Sequence, residues 1–388
     1  MVSPTQKQVR VLFLSWRDIR HPKKGGAETY THEVLKRLVE RGFHIEHFSV
    51  LHDDAVHREV IDGVVYIRSG TNASVIPKAM LYYYRNRHRF DLVVDQCNTH
   101  RFFSSLWLPH HKRVFFIHQL TREIWYEMMD APQAWLGNVY ETISLKMNRR
   151  DNTITVSRST KQDLLAVGFH DQRVTIAPEG LFFEPWAKED FLPKAPTTFL
   201  YAGRLNPYKG IEVAIQSIAE LRNRGRDVRL WVLGKGDPEY VNDTLKPLMQ
   251  KKGLTFSEGL SDPRTKDVHI FGFVSNYDLK NLMSRAKALL FASSREGWGL
   301  TVSEAAVLGT PSVVWPSQGL IDAVHFGEAG FLCPEKTVNS MVEQVELLLD
   351  NDALYEEMRH KAYEFACTLN FDRSADVFEL CLKNLTQK

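Results

Sequence analysis

Two carboxylates, Glu296 and Glu304, stand in the stretch Arg295-Glu296-Gly297-Trp298-Gly299-Leu300-Thr301-Val302-Ser303-Glu304. An apolar run ends at Ser293 and helical spacing resumes up to about Leu308, so the stretch reads as strand, glycine turn and helix. Gly297 and Gly299 let a backbone come close to a ligand. The amides that open the helix carry partial positive charge and make an anion site. Glu296 precedes the helix and Glu304 lies more than one turn inside it, so the two address different parts of one ligand and do not flank one bond. Taken alone, they also fit a solvated pair around an ordinary turn. A second stretch, Ala202-Gly203-Arg204-Leu205-Asn206-Pro207-Tyr208-Lys209-Gly210, likewise follows an apolar run and opens a helix. Its Arg204 and Lys209 suit phosphate oxygens, one as a planar fork and one as a point charge. A departing diphosphate gains negative charge, which fixed cations or a metal must stabilise, each good donor contributing ~3–4 kcal/mol. Taken alone, they also fit two solvated cations at a helix start.

The elements that must position these residues alternate. Val9–Trp16 is a continuous apolar run of the kind buried in a parallel sheet. A polar loop follows to Gly25-Gly26, then Tyr30, Val34 and Leu38 at helical spacing, with Gly42 placed to close the helix. Ile45–Val50, Val64–Ile67, Asp91–Asp95, Val114–His118 and Thr153–Val156 read as further strands, mostly with helices between them. Pro178, Gly180, Pro185, Pro193 and Pro196 interrupt the pattern and predict a linker between Ile176 and Pro196. A second series follows: Phe199–Gly203, Val228–Gly234, Val268–Phe273, Ala288–Ala292 and Pro311–Trp315. Helices are predicted over Val338–Asp350 and Ala353–Leu369, with a break near Phe371–Asp372 before a last one. The fold class is α/β: two Rossmann-like, doubly wound domains whose strand ends face a central cleft, where ligands of open α/β sheets bind.

Composition excludes several classes. The 388 residues suit two domains, and 44% hydrophobic with 25% charged residues is a globular balance. Forty-nine basic against 47 acidic residues leave a net charge of +2, no basis for a nucleic-acid partner. Cys97, Cys333, Cys367 and Cys381 lack regular spacing and read as reduced cytosolic thiols. Met1–Gln8 is polar, unlike a secretory signal, and no run reaches the ~20 apolar residues of a membrane span.

Other motifs fail. No P-loop, HExxH or Cys/His metal spacing occurs. The only Asp-x-Asp, Asp350-Asn351-Asp352, sits between two predicted helices and reads as a helix cap. Gly234-Lys235-Gly236-Asp237-Pro238-Glu239 begins like a dinucleotide fingerprint but has Glu239 where a third glycine belongs. His110-His111 reads as surface.

The joint pattern resembles the retaining GT-B glycosyltransferases of family 4, also called group 1. Glu296 to Glu304 fits their E-x7-E, and Gly203-Arg204-Leu205 with Lys209-Gly210 fits their diphosphate clamp. Gly25-Gly26-Ala27-Glu28 is similar to their first-loop glycine pair. Val156-Ser157-Arg158-Ser159 with Asp163-Leu164, and Gly330-Phe331-Leu332, match further segments in order, so the likeness runs from Val9 to Leu385. It implies an N-terminal acceptor-binding domain over 1–185, a C-terminal donor-binding domain over 186–370 and a final helix, 371–388, crossing back. It implies that Glu296 holds the donor sugar's hydroxyls, beside the amides of Gly297, Trp298, Gly299 and Leu300 and Thr301 at the helix start. Glu304 would accept from ribose hydroxyls. Arg204 and Lys209 would bind the diphosphate with the amide of Gly26, next to Gly25. Val274 would meet the base through its backbone. His118 would lie near the donor sugar, bonding a hydroxyl or steadying the anomeric carbon. Two positions depart from the family: Glu179 in Pro178-Glu179-Gly180 where Asn is frequent, and Ile321-Asp322 where Pro-Glu is frequent.

The expected activity is metal-independent transfer of a hexose-type sugar from a UDP- or GDP-sugar to a hydroxyl acceptor, such as a cell-envelope glycan, a lipid-linked sugar or a secondary metabolite. No cofactor beyond the donor is implied. A nucleotide-sugar epimerase and a non-catalytic sugar-nucleotide-binding subunit are the alternatives. Asp95, Gln96 and His100 are candidates for the acceptor side. Lys78–Phe90 mixes Tyr82, Tyr83 and Tyr84 with Arg85, Arg87, His88 and Arg89, which suits either an anionic bilayer or a helix with tyrosines inward. The expected location is cytoplasmic, with a peripheral contact to the inner membrane face left open.

Overall fold

The computed structural model describes residues 8–97, 100–195, 197–261 and 265–387. Pro196 of the predicted linker and the first seven residues lie outside them. The chain forms two compact units, one of residues 1–121, 136–180 and 370–388, the other of 122–135 and 181–369.

The first unit is built on an eight-stranded sheet in the order β3-β4-β2-β1-β5-β6-β7-β8. Its strands are β1 (Arg10–Leu14), β2 (His44–Ser49), β3 (Arg58–Ile61), β4 (Val64–Arg68), β5 (Leu92–Cys97), β6 (Arg113–Ile117), β7 (Asn152–Thr155) and β8 (Val174–Ile176). All neighbours run parallel except β3 against β4. The central strands are buried almost throughout, as parallel strands covered on both faces must be. The helix Gly26–Glu40 buries Tyr30, Val34 and Leu38, and Gly42 follows it at φ +92°. The helix Phe371–Thr386 belongs to this unit. Asn370 caps it by accepting from the Arg373 amide at 2.8 Å, so the break falls at Asn370 and Phe371 opens the helix. Arg41 ties this helix down through Asp376 at 2.8 Å and Glu379 at 3.1 Å.

The second unit holds a seven-stranded, all-parallel sheet in the order β11-β12-β10-β9-β13-β14-β15. These are β9 (Thr198–Ala202), β10 (Arg229–Leu233), β11 (Phe256–Glu258), β12 (Val268–Gly272), β13 (Leu289–Phe291), β14 (Ser312–Val314) and β15 (Phe331–Leu332). Among the described residues its core runs from Phe183 through Leu290 to Leu369. Among the described residues no helix is long and apolar enough to cross a membrane, and all four cysteines are free thiols.

Candidate active site

In the second unit, two adjacent strands, β9 and β13, deliver the two charged motifs side by side. After β9 the chain runs through Arg204 into a short turn, Pro207–Lys209, and then the helix Ile211–Asn223. After β13 it runs through Glu296 and the glycines into the helix Leu300–Ala306. The loops are bonded to each other: the Ser294 amide and the Ser293 hydroxyl both donate to the Tyr208 carbonyl, at 2.8 and 3.2 Å. Gly210, at φ +75°, lies so close to the Ala292 carbonyl that a Cβ would sit 2.2 Å from its oxygen. Only glycine permits that approach.

The consequence is one ion pair joining both motifs. Lys209 Nζ donates to Glu296 Oε1 at 2.5 Å, with the two side chains 17% and 14% exposed. Burial works against the lysine's charge, but the Glu296 carboxylate outweighs it and holds Lys209 above the usual lysine range. Arg204 is exposed, and its carbonyl accepts from the Tyr201 hydroxyl at 2.9 Å. Trp298 is buried, with Nε1 donating to Ser303 Oγ at 3.0 Å, so its ring packs and its loop is held by that bond. Gly299 caps the helix at φ +108°, Gly297 is half-buried, and Leu300 and Thr301 form its partly buried first turn. Glu304, half-buried one turn further, has its carboxyl pushed up to about 7 by desolvation, against a weak pull from Lys280.

Next to these loops a pocket of about 390 Å³ opens at the C-terminal ends of the strands. Leu205, Lys235, Gly236, Gly272 and Phe273 line it. The Gly234-Lys235-Gly236 turn, set aside above as a failed dinucleotide fingerprint, is part of its wall. Gly234, at φ +135°, would put a Cβ 1.8 Å from the Gly203 carbonyl oxygen. This glycine serves the close approach of two backbones. Val274 lines a separate recess of about 590 Å³ with Leu192 and Tyr277, while Phe271 borders both spaces.

Sequence reasoning missed two further charges in this unit. Glu123, from the segment 122–135, makes a two-pronged pair with buried Arg295 at 2.7 and 3.2 Å. Burial would raise the Glu123 carboxyl, but Arg295 outweighs it and keeps it low. Lys336 Nζ donates to the Ser294 carbonyl at 3.0 Å. Arg295 directly precedes Glu296 and was a visible signal. No periodicity ties residue 123 to it.

The first unit holds the remaining candidates. The Gly25 amide donates to Glu28 Oε2 at 2.6 Å, and Arg17 Nε meets Glu28 Oε1 at 3.0 Å. Gly25 has φ −137°, which any residue adopts, and Gly26 is the first residue of the helix. His118 follows β6 and is 7% exposed. Its carbonyl accepts from Thr160 Oγ1 at 3.1 Å, on a helix that Ser157 caps. Its ring meets Tyr30 edge-on at 5.2 Å. Nε2 lies 3.3 Å from Gln96 Nε2, and Nδ1 lies 3.4 Å from Glu179 Oε1. Since the Gln96 amide nitrogen can only donate, this placement puts the ring proton on Nδ1, facing Glu179. Desolvation raises the Glu179 carboxyl, His118 pulls it down less, and Oε2 has no partner among the described residues. Asp95 is fully buried and spends both oxygens on the Phe102 and Ser104 amides, and His100 packs on Trp16 at 4.8 Å. Asp95 therefore holds its own loop.

Comparison with known families decides the class. Residues 182–365 match the family described as glycosyl transferases group 1, and residues 24–181 match glycosyltransferase family 4. The chain belongs to the group 1, family 4 glycosyltransferases. Among relatives of this glycosyltransferase, an alpha-D-kanosaminyltransferase of Streptomyces kanamyceticus is 30% identical over 163 residues, 42% of this chain and 39% of the relative. A glycogen synthase of Mycobacterium tuberculosis is 27% identical over 237 residues, 60% of this chain and 54% of the relative. The chain thus spans between two-fifths and somewhat over half the length of these curated relatives. In fold it is similar to sucrose-phosphate synthase of Thermosynechococcus elongatus, at a TM-score of 0.77 and 18% identity over 97% of this chain and 99% of the other. Anabaena HepE, crystallised in complex with UDP-glucose, gives 0.68 and 16% over 98% of this chain and 100% of the other. Both likenesses show the GT-B fold.

Proposed function

We propose that this chain is a retaining, metal-independent glycosyltransferase moving a hexose-type sugar from a UDP- or GDP-sugar to a hydroxyl acceptor: a cell-envelope glycan, a lipid-linked sugar or a secondary metabolite. The observation that carries the proposal is the 2.5 Å contact between Lys209 and Glu296. It joins, at the ends of neighbouring strands, a cation suited to a diphosphate and a carboxylate suited to sugar hydroxyls. The pocket that Leu205 of the Arg204 loop shares with Lys235 and Phe273 is of a size to receive a nucleoside. In this reading Lys209 and Arg204 take up the charge of the departing diphosphate, as electrostatic stabilisation of a leaving group requires. Glu296 turns to the sugar when phosphate oxygens engage Lys209. Glu304 accepts from ribose hydroxyls, and Val274 stays the candidate for a backbone contact to the base. The glycine pair and His118 of the first unit keep the roles that the family resemblance gives them. The reading puts the enzyme in the cytoplasm, where nucleotide sugars are made.

Thermal unfolding with UDP, GDP, ADP and dTDP tests the donor site directly. A cognate nucleotide at about 100 times its Kd stabilises by ~2.7 kcal/mol. Incubation with the matching sugar nucleotide then yields, with an acceptor, a product of retained anomeric configuration by NMR. Conversion of the sugar nucleotide without an acceptor would instead establish an epimerase. Turnover is expected to survive chelation, and strict loss in EDTA would remove the metal-independent part of the proposal.

A further inference from the structure

A cavity rich in cations is lined by none of the residues of the charged loops described above. In the first unit, between strands β3, β4 and β2 at one side of the sheet and the helix Val75–Asn86, a cavity of about 380 Å³ is lined by His57, Arg58, Arg68, Lys78 and Arg85. No carboxylate is in its lining. Arg58, Lys78 and Arg85 are exposed and form no ion pair among the described residues. Arg68 is different. It is 1% exposed, its Nε meets Asp18 Oδ2 at 2.5 Å and its Nη1 meets Glu59 Oε2 at 3.0 Å, but Nη2 has no partner. Its head is thus held by two carboxylates, and the residue also borders a neighbouring cavity with Arg20 and His52. The remaining wall is apolar, with Phe48, Ile67 and Leu81 among its residues. Lys78, Leu81, Tyr82 and Arg85 fall at i, i+3, i+4 and i+7, so one helix face presents cations and apolar surface together.

We infer that this cavity binds a phosphate group carried on an apolar chain. The exposed cations Arg58, Lys78 and Arg85 take the phosphate oxygens, and the Phe48, Ile67 and Leu81 wall takes the chain. Charge-assisted bonds from a ring of cations are strong enough to hold a single phosphate. The site does not depend on the chain being a glycosyltransferase.

The test is calorimetric titration of the full chain with octyl phosphate, inorganic phosphate and octanol, in the wild type and in Lys78→Glu/Arg85→Glu. Both changed residues are exposed, so the fold is expected to persist, which the thermal midpoint checks. Octyl phosphate is expected to bind saturably, octanol not at all, and the double variant to lose at least about tenfold in affinity. Leu81→Asp is expected to weaken octyl phosphate while leaving inorganic phosphate unchanged. Equal binding of the two phosphates, lost in the double variant, would keep the anion site and assign free phosphate as its source. Equal affinity of wild type and double variant for octyl phosphate would overturn the inference. Lys209→Ala separates the two sites: it is expected to weaken nucleotide binding and leave octyl phosphate untouched. A failure of either site is therefore read independently of the other.

Discussion

Each unit holds a base against a carboxylate at the C-terminal end of its sheet, and the two pairs are built differently. Lys209 and Glu296 meet at 2.5 Å on two loops that are themselves bonded together, and both side chains keep some exposure. His118 and Glu179 meet at 3.4 Å with side chains only 9% and 4% exposed, and one Glu179 oxygen is unsatisfied among the described residues. The first pair is accessible and its lysine is held above the usual range, so an arriving anion can compete for the lysine with its carboxylate. The second is sealed by Tyr30 and Phe116, where an unpaired buried oxygen costs about 1–3 kcal/mol. An accessible pair is suited to exchanging partners. A sealed pair is suited to holding an orientation.

The contrast is testable, beginning with the largest effect. Lys209→Ala is expected to lower transfer from a sugar nucleotide by about 10²–10³-fold, the scale of losing one preorganised donor, and to weaken nucleotide binding as well. Steady-state kinetics with unchanged transfer would show that the accessible pair is ornamental. Gly234→Ala removes no charge but forces a Cβ against the Gly203 carbonyl. We expect a loss of about 2–3 kcal/mol, seen as a lower thermal midpoint, because strain at a positive φ adds to the clash. An unchanged midpoint would mean that the two loops are not locked.

The third test uses pH. The Glu304 carboxyl sits at about 7 in the folded chain, above its ordinary 4.5. A raised carboxyl pKa means that the folded state binds the extra proton, so stability falls as pH rises from 4.5 to 7 and levels off above. The fall is on the order of 1–3 kcal/mol, and Glu304→Gln is expected to remove it. Parallel pH–stability curves for the two proteins would contradict the buried environment of Glu304. The smallest effect is expected at the sealed pair. Glu179→Gln keeps a polar partner for His118 but removes the carboxyl whose pKa burial raises. Transfer should fall about three- to tenfold with an altered pH profile of kcat, and stability at neutral pH should hold or rise. Superimposable pH profiles would leave Glu179 with a packing role only.

What could be read before folding follows burial. The interior strands of both sheets stand out as apolar runs because parallel strands are covered on both faces. The four strands that escape that reading, β3, β8, β11 and β15, are the four sheet edges. β3 and β11 have no fully buried residue, and β8 and β15 have one each, so no run of apolar residues marks them. The membership of 122–135 in the second unit was equally invisible, since contacts such as Glu123 with Arg295 span 172 positions of sequence.

Residue order alone therefore determined the α/β class, the two glycine-bearing charged loops and the family, because these rest on local periodicity and on short spacings. Tertiary structure alone decided which carboxylate Lys209 would meet, why Gly210 and Gly234 tolerate no side chain, and that Glu179 would be buried against His118. Each of these is a contact between segments far apart in the chain. Its energy depends on distance and on exclusion of water, and neither quantity exists until the sheet has formed.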